Sequence, residues 1–157
     1  MTSVGLVLGS AVGPEEIAGS ARKAEALGFS ELWLAEDFFF TGGVAGASVA
    51  LGATERIQVG LGVVSALVRH PALLAMEIST IARAFPGRFI PGIGLGVPGW
   101  MRQMNLLPRS PLTAMRECVG SVRRLLDGET ISEEGAVFSF DDVGLVYPPS
   151  ERVPPHM

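Results

Sequence analysis

Residues 27–37 read LGFSELWLAED, and residues 55–65 read ERIQVGLGVVS. Each stretch contains a short run of apolar, β-type residues that ends in small or acidic residues. Four such runs occur along the chain, at Val4–Leu8, Glu31–Ala35, Ile57–Val64 and Phe89–Leu95. Their starts lie about 26 to 32 residues apart, which is the length of one strand–helix unit. The spacing predicts a parallel α/β fold.

Helical patterns separate these four runs. Their predicted starts are Pro14, Val44, Pro71 and Pro111, the last with Ser110 as N-cap. Their predicted ends are Gly28, Ala53, the Phe85-Pro86-Gly87 turn and Gly128. On the fourth helix one face is expected to be apolar, and it comprises Leu112, Met115, Val119, Val122, Leu125 and Leu126.

A β-hairpin is predicted after the fourth helix. Its strands are Thr130–Ser132 and Ala136–Phe140, joined across Glu133-Glu134-Gly135. The strand–helix order before it fits either an open, doubly wound sheet or part of a (β/α)8 barrel, of which a complete copy takes roughly 250 residues. The pattern alone does not choose between the two.

Composition restricts the classes of function. The 157 residues are 48% hydrophobic and 18% charged, which predicts one folded domain over residues 1–157. A net charge of −4 without a basic run argues against nucleic acid and anionic membranes as partners. No apolar stretch reaches the 18 or so residues of a membrane span. The single cysteine, Cys118, and the absence of basic residues in Met1–Ser3 predict a cytoplasmic protein without a signal peptide.

Small and acidic residues stand where three of the predicted strands end, and they are Glu36-Asp37, Ser65-Ala66 and Gly94-Leu95-Gly96. Because the carboxyl ends of parallel strands face the ligand crevice, these residues are candidates for a common site. Asp37 is the main candidate for accepting a hydrogen bond or moving a proton. The alternative is a loop carboxylate that caps the following turn.

Three other motifs have competing interpretations. Gly94–Gly99 spells G-x-G-x-x-G, but a dinucleotide site needs a helix that begins inside the motif, and Pro98 predicts that the next helix waits until Ser110. His70 is expected to begin the third helix, and we assign no metal site. Phe38-Phe39-Phe40 fits a ligand-binding wall, a core segment or a subunit contact equally well.

Four ordered blocks are similar to the luciferase-like monooxygenase superfamily, and within it they most resemble the deazaflavin (coenzyme F-420) dependent oxidoreductases. The blocks are GLVLGS at 5–10, LGFSELWLAED at 27–37, ERIQVGLGVVS with RHP at 55–71, and GRFIPGIGLGVPGW at 87–100. The resemblance extends from Val4 to about Tyr147. It implies that the chain is the first half, with four strands, of a TIM-type (β/α)8 barrel plus a C-terminal hairpin.

The resemblance also implies a function and a site. The cofactor would be coenzyme F-420 or FMN, used for hydride transfer or oxygen insertion on a small-molecule substrate. Asp37 would be the catalytic acid near the cofactor ring. Ser65 and Ala66 would form the third-strand end, where many members have a non-proline cis peptide, and Gly94, Leu95 and Gly96 would lie along the cofactor.

The chain departs from the family in three respects. Phe38 stands where some members have a catalytic histidine, and Ala82 stands where many have an acid. Members are also roughly twice as long. Half a barrel has two unpaired strand edges and an exposed inner face, so we expect a homo-oligomer, most simply a dimer. The alternative function is that of a truncated, non-catalytic half-barrel that self-associates.

Overall fold

The computed structural model describes residues 4–157, so the expectation for Met1–Ser3 lies outside the described residues. Strands and helices alternate as predicted. In chain order they are β1 (Gly5–Leu8), α1 (Ile17–Ala26, after a 3-10 turn at Pro14–Glu16), β2 (Glu31–Leu34), α2 (Gly43–Gly52), β3 (Gln58–Leu61), β4 (Val64–Ser65), α3 (Pro71–Ala84), β5 (Phe89–Ile90), β6 (Ile93–Gly94), α4 (Pro98–Gln103), α5 (Pro111–Leu126), β7 (Ile131–Glu134) and β8 (Ser139–Val143).

The main sheet is parallel and has the order β1-β2-β3-β5. Each unit therefore adds its strand beside the previous one, without the reversal of strand order that defines a doubly wound sheet. Alternate side chains point to a buried face, where Leu32, Leu34, Val59 and Leu61 are at most 5% exposed. On the opposite face Val7 is 71% exposed. Sequential order with one open face is the geometry of a barrel wall.

The ring of Trp33 covers part of the open face. It lies so close to Gly60 that a Cβ at that position would overlap it. The indole Nε1 donates a hydrogen bond to Glu31 Oε2 at 2.8 Å. Gly60 is therefore required by its cross-strand neighbour.

Two predicted strands are each divided in two. The run Ile57–Val64 becomes β3 and β4, and the run Phe89–Leu95 becomes β5 and β6. Between β5 and β6, Pro91 has no N–H for a sheet bond, and the backbone of Gly92 packs against the Leu61 carbonyl. Pairing resumes beyond the break, with Val64 beside Ile93 and Ser65 beside Gly94. The prediction of continuous strands was therefore wrong, while the sequential strand order is the one that the family resemblance implied.

The fourth predicted helix is α5, and one expected core position on it is wrong. Leu112 is 69% exposed, whereas Val119, Val122, Leu125 and Leu126 are buried as expected. Small residues complete the buried stripe, and they are Ala114, Cys118 and Ser121. Ser110 holds the N-cap position, but its hydroxyl bonds the Thr113 hydroxyl at 2.7 Å and no backbone N–H.

The hairpin forms with different bounds from those predicted. Strands β7 and β8 pair antiparallel, but 136–138 belong to the turn between them. The Glu117 carboxylate of α5 accepts the backbone N–H groups of Ala136, Val137 and Phe138 at 2.9 to 3.1 Å. Those N–H groups are therefore bound by a distant side chain, which the local sequence does not reveal.

The C-terminal tail pairs with the free edge of the fourth unit. His156 N–H donates to Pro91 O at 2.8 Å, and His156 O accepts Ile93 N–H at 2.9 Å. This is a parallel bridge between Gly92 and His156. The expectation of two unpaired edges is therefore wrong at this edge, because the chain's own tail covers part of it. Strand β1 remains at the opposite edge.

Candidate functional site

The ends of the third and fourth predicted strands form one continuous rim. Ser65 pairs with Gly94, and Ala66 N–H donates to Gly94 O at 2.9 Å. The Ser65 hydroxyl donates to Leu95 O at 3.1 Å and accepts Leu67 N–H at 3.2 Å. The structure therefore brings together the predicted residues Ser65, Ala66, Gly94 and Leu95.

Gly96 connects this rim to the end of β2. It has φ +79°, and a Cβ there would lie 2.7 Å from Ser65 Oγ and 3.3 Å from Phe38 Cζ. Trp100 of α4 packs on the same Phe38 ring, with a centroid distance of 5.9 Å. Phe38 directly follows Asp37, so all three predicted strand ends meet at one edge of the sheet.

Burial revises the expected role of two of these residues. Ser65 and Ala66 are 1% and 0% exposed, and the Ser65 hydroxyl makes its two hydrogen bonds to backbone groups of the chain itself. Their side chains shape the rim from beneath. The surface above them is formed by exposed Gly62, Val63 and Leu95.

The non-proline cis peptide lies at Gly62–Val63, so the expectation that placed it at Ser65-Ala66 is wrong by three residues. It falls in the break between β3 and β4. The sequence pattern predicted one continuous strand there and therefore no break. The signal in the sequence was the repeated glycine of V-G-L-G-V-V at 59–64, which breaks the apolar run.

Asp37 lines a cavity of about 350 Å³ at the end of β2. Its carboxylate is half-buried and has no hydrogen-bond or ion-pair partner within residues 4–157. The cavity is lined by residues 36–42, by Val68 and Arg69 from the loop before α3, and by Met104 and Leu106 from the segment after α4. An unpaired carboxylate here is available to a ligand.

Glu36 has a different environment from that of its neighbour. Its side chain is 5% exposed, and it binds the Arg69 guanidinium through two hydrogen bonds of 2.8 and 3.1 Å. It also accepts Gly43 N–H at 2.9 Å, at the start of α2. Burial lowers the pKa of Arg69, but its hydrogen bond to Glu36 and the nearby Glu77 outweigh this and raise the pKa. Glu36 therefore organises the loop structurally.

The three phenylalanines divide between two roles. Phe38 is 8% exposed and belongs to the core. Phe39 and Phe40 are 65% and 60% exposed and line the Asp37 cavity. Phe39 also has a left-handed backbone, with φ +73°. The sequence left these roles open.

His70 begins α3, as predicted. Its Nδ1 accepts Ala72 N–H at 3.2 Å as an N-cap. Its Nε2 lies 3.3 Å from Ser139 O, so the ring also contacts the hairpin. Within residues 4–157 no group of three histidine, cysteine or acidic side chains is placed to hold a metal ion. In the same residues no helix is long and apolar enough to cross a membrane.

The family model for luciferase-like monooxygenases matches residues 2–157. The chain belongs to this family. An F-420-dependent glucose-6-phosphate dehydrogenase of Nakamurella multipartita is 30% identical, over 90% of this chain and 45% of that protein. A limonene 1,2-monooxygenase of Rhodococcus erythropolis is 33% identical, over 81% and 34% respectively. The chain therefore spans less than half the length of these curated relatives.

Solved structures of luciferase-like proteins confirm the fold of this family member. The coenzyme F-420 dependent tetrahydromethanopterin reductase of Methanopyrus kandleri superposes with a TM-score of 0.80 at 25% identity, over 92% of this chain and 46% of that chain. An F-420-dependent secondary alcohol dehydrogenase gives a TM-score of 0.86 at 21% identity, over 97% and 50%. These neighbours are TIM barrels, so the prediction of four barrel units is confirmed.

Two features of this luciferase-like chain correspond to the departures noted in its sequence. Phe38 is packed between Trp100 and the Gly96 turn and cannot shuttle a proton. Ala82 is 9% exposed on α3, where it lines a cavity beside the C-terminal tail and supplies no carboxylate. Within residues 36–42, Asp37 is therefore the acid that remains free to act on a ligand.

Proposed function

We propose that this chain carries one half of an oxidoreductase or monooxygenase site that uses coenzyme F-420 or FMN on a small organic substrate. The observation that supports this most directly is the meeting of three strand ends at one rim. Ser65 pairs with Gly94, Gly96 contacts Phe38, and Asp37 lies beside Phe38 in the cavity.

The rim residues fit a planar cofactor ring. Val63 and Leu95 are 37% and 36% exposed, and the idealised Cβ of Gly94 would overlap the Val63 side chain. Val63 and Leu95 thus add exposed apolar side chains next to glycine backbone, which suits an aromatic ring face. When bound, a reduced flavin or deazaflavin supplies the hydride, or the electrons that activate oxygen.

The residues of this chain would position the cofactor and the substrate and would exclude water from them. Ser65 and Ala66 hold the rim rigid from below, while Gly94, Leu95 and Gly96 allow close approach from above. Asp37 would accept a hydrogen bond from the substrate or exchange a proton with it. The adjacent apolar side chains would keep water from the reacting atoms.

The test is a titration of the chain with FMN and, separately, with coenzyme F-420, followed by cofactor absorbance. We expect saturable binding of one of them, weakened at least tenfold by Val63→Glu, which puts a charge on the apolar surface. Glu55→Gln, on an exposed loop at the opposite end of the strands, is the control and should bind like wild type. Asp37→Ala should weaken binding as well. No saturable binding of either cofactor would contradict the proposal.

A second proposal concerns assembly. Val7 on β1 is 71% exposed, and Val4, directly before that strand, is 55% exposed. The outer edge of β1 is unpaired in the sheet of the described residues. Exposed edges and apolar faces recruit other chains. We propose that a second copy of the chain covers the exposed face of the sheet that carries Val7, whether or not the resulting assembly is catalytic.

Light scattering at micromolar concentration tests the assembly. We expect a dimer that Val7→Lys dissociates, because the charge enters the covered face. Leu112→Lys is the matched control, since Leu112 is equally exposed but lies on α5. A stable wild-type monomer would contradict self-association while leaving cofactor binding to be judged by its own titration.

A further inference from the structure

We infer that the Asp37 cavity selects small molecules with an apolar body and a neutral or cationic hydrogen-bond donor, and that it rejects anions, phosphate esters included. The inference rests on the proposed function, because it concerns the substrate side of the same site. It is based on the apolar side chains and on the charged side chains that line the cavity.

Two groups of apolar side chains line the cavity. They are Phe39 and Phe40 from the loop after β2, and Met104 and Leu106 from the segment after α4. Leu106 is 42% exposed, and both phenylalanines are at least 60% exposed. Phe39 also has a left-handed backbone, which is unfavourable for a bulky side chain. Contact with an apolar ligand would remove this surface from water and offset that cost.

The described residues that line the cavity offer no free positive charge. Among the described lining residues Arg69 is the one cation, and both ends of its guanidinium are held by Glu36. Glu77 lies 3.6 Å from Arg69 Nε on the other side. A bidentate carboxylate uses the donor pair with which an arginine would otherwise bind a phosphate or carboxylate ligand.

Asp37 then determines the sign of the electrostatic potential in the cavity. Glu36 and Arg69 neutralise each other, so the unpaired Asp37 leaves the lining with a net negative charge. A carboxylate accepts hydrogen bonds and donates none. A hydroxyl or an ammonium group can meet it, whereas an anion would face a like charge in a partly desolvated site.

The size of the cavity limits the ligand. Its volume of about 350 Å³ is at the small end of the range typical of ligand pockets. Phe38 separates it from the rim at Gly96, so a molecule in the cavity would lie beside the proposed cofactor surface. This position is suitable for a substrate and too small for a dinucleotide.

The experiment compares three six-carbon ligands that differ in their head group: 1-hexanol, hexylammonium and hexanoate. Binding is measured by ligand-observed NMR at low ionic strength. We expect the alcohol and the ammonium to bind at least tenfold more tightly than the carboxylate. Asp37→Asn should reduce this discrimination to about threefold or less, because it removes the charge and keeps the shape.

A separate variant tests how much the apolar side chains contribute to ligand binding. Leu106→Ser should weaken 1-hexanol binding, and Leu112→Ser, which truncates an exposed leucine on α5, should not. Circular dichroism confirms that each variant is folded. Equal or tighter binding of hexanoate, unchanged discrimination in Asp37→Asn, or no binding of any of the three ligands would overturn the inference.

Titration of the same samples with FMN and coenzyme F-420 separates this inference from the proposed function. If a cofactor binds and hexanoate is preferred, the charge selection is wrong while the proposed function stands. If the alcohol is preferred and neither cofactor binds, the cavity behaves as inferred while the proposed function is wrong.

Discussion

The Glu36 carboxylate binds the Arg69 guanidinium through two hydrogen bonds, Nη1 to Oε1 at 2.8 Å and Nη2 to Oε2 at 3.1 Å. The same Oε2 accepts the N–H of Gly43, so one buried side chain connects the end of β2, the start of α2 and the loop before α3. The ion pair fixes the loop that carries Asp37 and leaves the Asp37 carboxylate free. Of the two adjacent acids, Glu36 is thus buried and paired, and Asp37 is unpaired.

Removal of Arg69 should strongly destabilise the fold. In Arg69→Met the carboxylate of Glu36, 5% exposed, would lose its cation and remain buried. Breaking a buried pair by removing one partner costs roughly 3 kcal/mol or more. Urea unfolding measures this, and Arg22→Ala, at an exposed position on α1, should change the free energy of unfolding by less than about 0.5 kcal/mol.

The double variant Glu36→Gln with Arg69→Met completes the test. Since neither side chain is then charged, it should be more stable than Arg69→Met alone. The losses in free energy of unfolding should therefore not add. If the double variant lost as much as the two single variants together, the two side chains would act independently, contrary to the geometry.

Gly96→Ala should destabilise the chain and Gly99→Ala should not. An added Cβ at Gly96 would be strained at φ +79° and would lie 2.7 Å from Ser65 Oγ. We expect a loss of about 1 to 3 kcal/mol from the backbone conformation and the contact together. Gly99 lies in α4 with nothing within 4 Å, so alanine there should be neutral or stabilising, by up to about 1 kcal/mol. Thermal unfolding of the two variants side by side measures the difference.

Glu25 should make stability depend on acidic pH. Its carboxylate accepts the N–H groups of Ile57, Arg56 and Glu55 at the start of β3. The hydrogen bond from Ile57, followed by that from Arg56, lowers the pKa of Glu25 below its ordinary 4.5. The contribution is therefore present above pH 4.5 and is lost as the pH falls through the lowered folded value.

Glu25→Gln is expected to reduce stability at neutral pH by about 1 to 2 kcal/mol, because it weakens charge-assisted hydrogen bonds. The loss relative to wild type should shrink when urea unfolding is repeated below pH 4. A difference that stays constant from pH 7 to pH 3 would refute the assignment. Glu55→Gln serves as the control, since that side chain is exposed.

Cys118 should be unreactive in the folded protein. It is fully buried on α5, and burial raises the pKa of its thiol from 9.0 to about 12. The thiolate is the reactive form, so a disulfide reagent at pH 8 should label the native chain far more slowly than the urea-unfolded chain. Because the folded pKa is raised, this group's stabilising contribution is complete below pH 9 and declines as the pH rises towards 12. Labelling that is equally fast in both states would contradict the burial.

Local sequence predicted much of the fold because its signals are local. Proline and glycine define the ends of the helices, and His70 was correctly expected to begin α3 for this reason. The spacing of the apolar runs predicted the alternation of strands and helices, whereas the sequential strand order was implied only by the resemblance to the family. The expected helix start at Ser110 missed the short α4 at Pro98–Gln103, where a proline at N1 was interpreted as an interruption. The same residue type can begin a helix or break one, and only its neighbours decide which.

The chain by itself determined its strand–helix alternation, its membership of the luciferase-like family and the residues that end each strand. Only the tertiary structure decided that Glu36 is buried and paired while Asp37 is free, that Ser65 and Ala66 lie beneath the rim, and that Val63 and Leu95 form its surface. The physical reason is that burial and pairing depend on partners about 30 residues away along the chain. The pattern of residues along one strand does not predict these distant contacts.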